Sequence, residues 1–132
     1  MSNALRAGVV YFLAVFAIGF VLGAIRVTFV IPRIGALAAV CIEVPVMLAL
    51  AWLVCAAIVR RFAVPPTVAA RLAMGGIAFA LLMLAELALA VLLFGRTPAQ
   101  HWGRYHGLAE QVGLAGQVAF ALFPLWIARR RA

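Results

Sequence analysis

The chain has 132 residues, 69% hydrophobic and 11% charged, far from the balance of about 45–50% apolar and 25% charged found in soluble domains. Its eleven basic residues are all arginine and its three acidic residues all glutamate, giving a net charge of +8. The arginines punctuate apolar runs and build no solvated basic face with groove-reading aromatics, so no nucleic-acid partner is expected.

Four apolar runs, approximately 7–31, 34–59, 72–94 and 108–128, each reach the ~20 residues that cross a hydrocarbon core. Strand-like alternation is absent, and a backbone exposed to lipid must satisfy its own hydrogen bonds, so the runs are expected to be helices. The expected fold is an all-α integral membrane protein: one domain over 1–132 with four transmembrane helices in an antiparallel up-down bundle. The first run is expected to be a retained span. It is too long for a signal peptide, lacks a small-x-small cleavage site and leads straight into a second apolar run.

In the first run, Gly19 and Gly23 form a G-x-x-x-G, a spacing that lets helix backbones approach closely in lipid. Gly113 lightens the fourth run in the same way. Arg26 follows Gly23 by three and Gly19 by seven, so it shares their face and is expected to point into the bundle. The stretch GFVLGAIRV resembles the glycine-rich, arginine-ended first helix of dual-topology fluoride channels. That family's second-span asparagine and third-span phenylalanine motif have no counterpart here. The small multidrug resistance transporters are similar in size and helix count, but they carry their glutamate in the first span, where this chain has none. Neither resemblance transfers a functional residue.

The first connection, IPRIG, is expected to end one helix at Pro32 and open the next at Gly35. In the second run Glu43 stands two residues before Pro45, whose missing N–H leaves the carbonyl of Cys41 free. Cys41 and Cys55 are fourteen residues apart, about 21 Å along one helix, too far to pair with each other. The second connection, RRFAVPPTVAAR, offers Thr67 as an N-cap. Both connections are short enough to make their helices antiparallel neighbours.

The third run carries Glu86 at its centre. The third connection, GRTPAQHWGRYHG, is the longest and the richest in polar and aromatic side chains. His101 and His106, spaced by five, match no zinc pattern, so no metal and no cofactor are expected. Trp102 and Tyr105 suit an interfacial aromatic belt. In the fourth run His106, Glu110, Gly113 and Gln117 follow at helical spacing, a polar entrance with Glu110 near Arg104 or Arg96.

Depth counting links the polar residues. Glu43 lies nine residues after Ile34, Glu86 nine before Gly95 and Gln117 nine after Leu108, each about 13 Å of helix. Arg26 sits about one turn higher, within reach of that level. The expected site is therefore a buried cluster of Arg26, Glu43, Glu86 and Gln117. It serves either as an ionic staple or as a proton- or ligand-handling site.

Arg6, Arg60, Arg61, Arg71, Arg129, Arg130 and Arg131 are expected on one side, against Arg26, Arg33, Arg96 and Arg104. That bias favours cytoplasmic termini, and arginine used without lysine, with abundant alanine, points to a bacterial gene and so to an inner membrane. No nucleophile–base pair or phosphate loop supports an enzyme. The expected role is an accessory or assembly subunit packing against other membrane helices, with membrane lipids and partner subunits as its surroundings. The alternative is a proton-coupled small-solute transporter or channel built as a homo-oligomer.

Overall fold

The computed structural model describes residues 2–93 and 95–131, without the side chains of Ser2 and of 128–131. The arginines at 129, 130 and 131, counted above for topology, therefore have side chains outside the described residues, as does the whole of residue 94. The described chain is helical, with no strand among these residues. Four helices are long and apolar enough to cross a membrane: Asn3–Ile34, Ala36–Arg61, Val68–Leu92 and Leu108–Ile127.

The first of these is one continuous rod with a changed pitch. It comprises α1 (Ser2–Ile25), a π-helical turn (Arg26–Val30) and α2 (Ile31–Ile34). Pro32 does not end the helix, as the sequence suggested. The wider π turn directly before it, closed by Ile31 N–H on the Arg26 carbonyl, absorbs the proline's missing donor and its bulk. The reversal falls on Gly35 alone. Its N–H bonds the Ile31 carbonyl at 2.8 Å, and its own carbonyl accepts from Ala39 at 3.1 Å, so a single residue closes one helix and opens the next. Its φ of +87° explains the glycine, since no atom lies within 4 Å of where a Cβ would stand.

From there α3 (Ala36–Arg61) returns and ends in a Schellman-type exit. Val64 N–H reaches back to the Val59 carbonyl at 3.1 Å, and Ala63 takes φ +50°. Thr67 caps α4 (Val68–Leu92), accepting from Ala70 N–H at 3.2 Å. This start comes one turn earlier than the apolar run implied, because the cap and not hydropathy sets it. A short α5 (Pro98–Gly103) follows, opened by a reciprocal Thr97–Gln100 capping box. One turn of 3₁₀ helix (Arg104–His106) leads into α6 (Leu108–Arg131).

Among the described residues, α1 packs on α3 and α4, and α6 packs on the same two helices. The ring order is therefore α1–α3–α6–α4, and the sequential pair α3 and α4 stands across a diagonal. The expectation that the second connection joins neighbours is corrected here. Phe62–Thr67 can extend about 20 Å, more than the diagonal of a bundle with edges of about 10 Å. Contacts pair Met47 with Gly19 and Glu43 with Arg26, while Ala121 meets Gly75 and Pro124 meets Arg71.

The core fills one end of this ring. Ala4, Ala7, Tyr11, Cys55, Met74, Ala78, Phe120 and Phe123 are buried there, and beyond Val15, Ala51 and Leu82 only Ala39, Ala90 and His101 are among the described residues. Two polar side chains lock the packed end. Pro124 lies inside α6 and so leaves the Phe120 carbonyl without its helical donor. Tyr11 donates its hydroxyl to that carbonyl at 2.7 Å, its ring 4.3 Å from the Phe120 ring. Arg71, only 3% exposed, donates Nε to Pro65, Nη1 to Pro124 and Nη2 to Val64 carbonyls at 3.1, 2.8 and 3.3 Å. The exit turn at Ala63 aims two of those three carbonyls.

Candidate functional site

The looser end of the bundle holds the polar residues in two pairs. On one flank Arg26, first residue of the π turn, donates Nη1 to Glu43 Oε2 of α3. The turn at Gly35 brings them together, since the two residues stand eight and nine positions from it on either arm. The pair lines a groove of about 140 Å³ with apolar Leu22, Ile25, Ile42 and Val46. Arg26 keeps 32% of its side-chain surface exposed, and Glu43 keeps 14%.

On the other side Gln117 of α6 donates Nε2 to Glu86 Oε1 of α4. The Tyr105 hydroxyl, from the 3₁₀ turn, lies beside the same carboxylate, and Arg26 is near enough to act on it electrostatically. The four residues expected to form one cluster thus stand as two hydrogen-bonded pairs coupled through the Arg26 charge. Gln117 Oε1 is buried with no hydrogen-bond partner, as is His101 Nδ1.

Above Glu86 the connection folds as a cap. His101, Trp102 and Tyr105 pack as an aromatic cluster, with ring centroids 5.4 to 5.8 Å apart. Burial, then the Arg104 and Arg96 charges, hold His101 below the ordinary histidine range. Burial, then the Glu86 carboxylate, push the Tyr105 phenol up, so it remains a donor. Among the described residues no group of three or more His, Cys, Asp or Glu side chains could hold a metal.

The proposed polar entrance is divided by the cap. Gly107 is extended, with φ −75° and ψ 146°, so His106 lies before α6 and off the face of Glu110 and Gln117. Glu110, half-buried, pairs with the exposed Arg104 at 3.4 Å. The glycines also divide. Gly19 meets only the Met47 methyl, at 3.6 Å, Gly23 meets its own helix's Arg26, and Gly113 faces open space. The close approaches between helices, among the described residues, are at Gly8 against Met74 and Ile77, Gly75 against the Ala121 carbonyl, and Gly116 against Val44.

Reading the sequence by depth found the glutamates but missed Tyr105, Tyr11 and Arg71. Pro124 was the available signal for Tyr11, because a proline inside a membrane helix frees a carbonyl that must find another donor. Arg71 looked like one more arginine at a span end. Comparison of the chain with known protein families, with curated proteins and with solved structures finds no match. The class is therefore read from the fold alone: a helical bundle whose four long apolar helices suit a multi-pass membrane protein.

Proposed function

We propose that this protein is a non-enzymatic subunit of the bacterial inner membrane that assembles against other membrane helices. Its four spans would alternate up and down, with both termini cytoplasmic. The observation that carries this reading is the Arg26–Glu43 flank, where an arginine side chain one-third exposed lines an apolar groove inside a span. A charge facing hydrocarbon at a span's centre costs at least about 2.5–3.5 kcal/mol. A partner helix bringing a polar group to the groove removes that cost. Gly23, one turn before Arg26 on the same rod, faces no other helix of the chain and leaves room for close approach.

Native mass spectrometry of gently extracted protein tests the reading. A stoichiometric second polypeptide is the expected result, released when Glu43 and Arg26 are both made apolar. A protein that is only a monomer or a homo-oligomer counts against it. A second reading, a proton-coupled transporter or channel acting as a homo-oligomer, is favoured by Glu86, a carboxylate inside a span held by neutral donors.

A further inference from the structure

Among the described residues each of the other two carboxylates has an arginine partner: Glu43 has Arg26 and Glu110 has Arg104. Glu86 has the amide of Gln117 as its hydrogen-bond donor and the Tyr105 hydroxyl beside it, both neutral. Beside it Gln117 Oε1 is a buried acceptor with nothing to accept. Tyr105 joins the carboxylate to the aromatic cluster, at 5.7 Å from His101 and 5.8 Å from Trp102, and Trp102 is 50% exposed. One turn from Gln117, towards the cap, Gly113 has no atom within 4 Å of where a side chain would begin.

We infer that Glu86, Gln117 Oε1 and the Tyr105–Trp102 rings form a binding site for a small, singly charged ammonium compound that retains an N–H. Each part of the ligand meets a matching group. The positive charge answers the carboxylate, the N–H fills the orphaned amide oxygen, and the carbon skeleton lies against the rings, whose faces attract cations. The open side of Gly113 provides room. Arg26 and Arg104 are held by their own glutamates, yet with Arg96 they make the rim cationic. Repulsion from that rim disfavours di- and polyvalent cations and restricts the class to one charge. The site lies within this chain, so it stands whether or not a partner helix covers the Arg26 flank.

Calorimetric titration of the purified protein in lipid nanodiscs with benzylammonium, benzyltrimethylammonium and benzyl alcohol tests the site. Benzylammonium is expected to bind saturably. The trimethyl analogue, with no N–H, and the uncharged alcohol should each bind at least about tenfold more weakly, the scale of one charge-assisted hydrogen bond. Glu86→Gln should weaken benzylammonium by the same factor or more. Gly113→Leu, which fills the open space and leaves the polar groups in place, should abolish binding while the helical circular dichroism signal and its melting are retained. Absence of saturable benzylammonium binding to the unaltered protein would overturn the proposal. So would equal binding of all three compounds, or undiminished binding by the folded Gly113→Leu protein.

Discussion

The Tyr11 hydroxyl occupies the place of the backbone donor that Pro124 removes, bonding the Phe120 carbonyl at 2.7 Å across the bundle diagonal. Tyr11→Phe should destabilise the bundle by about 1–3 kcal/mol, the penalty for a buried acceptor left unmade. Pro124→Ala restores a helical N–H to the same carbonyl. The double variant should therefore lose much less than Tyr11→Phe alone, in unfolding measured in mixed micelles. Strictly additive losses would separate the two residues.

Arg71 joins the loop after α3 to α6 through three carbonyls. Arg71→Leu leaves these acceptors without donors in a buried site, and a loss of about 3 kcal/mol is expected. Arg71→Lys should rescue little, because an ammonium point charge cannot span three separated carbonyls as the planar guanidinium does. Thermal unfolding of the two variants side by side provides the comparison.

For the Arg26–Glu43 pair, Arg26→Met and Glu43→Leu should each destabilise by about 3 kcal/mol, the low end for breaking a buried pair, given the partial exposure of Arg26. The double change should recover most of that loss. A double variant as unstable as the worse single one would show that the two do not act as a pair.

Gly75 and Gly76 are adjacent and differ sharply in surroundings. A Cβ on Gly75 would run into the Ala121 carbonyl, whereas one on Gly76 meets nothing within 4 Å. Gly75→Ala should cost about 1–3 kcal/mol by overpacking. Gly76→Ala should be neutral or stabilising by up to about 1 kcal/mol through helix propensity. Equal melting temperatures for the pair would contradict the α4–α6 approach.

The pH response of the cap follows from His101. Its folded-state pKa lies below its unfolded one, so the histidine stays neutral at pH 7 in the folded protein. As pH falls through the ordinary histidine range the unfolded chain takes up the proton more readily, and stability is lost. His101→Phe should flatten that fall between about pH 7 and 5. Hydrogen exchange at Trp102 and Gly103 is the direct readout.

The sequence by itself determined the four long apolar helices, the reversal at Gly35 and the cap at Thr67. Each of these is a local property: run length with 1.5 Å of rise per residue, a residue able to take positive φ, and a hydroxyl before a helix. Tertiary structure decided which faces meet. In a chain that is apolar on nearly every face, periodicity does not distinguish inside from outside. That is why the ring order places α3 and α4 across a diagonal, why one expected cluster stands as two pairs, and why the arginine at position 71 turns inward. Tyr105 reaches Glu86 only because the capping box at Thr97 and Gln100 folds the last connection back over the bundle. Such a contact depends on the three-dimensional path of a loop, which the spacing of its residues does not encode.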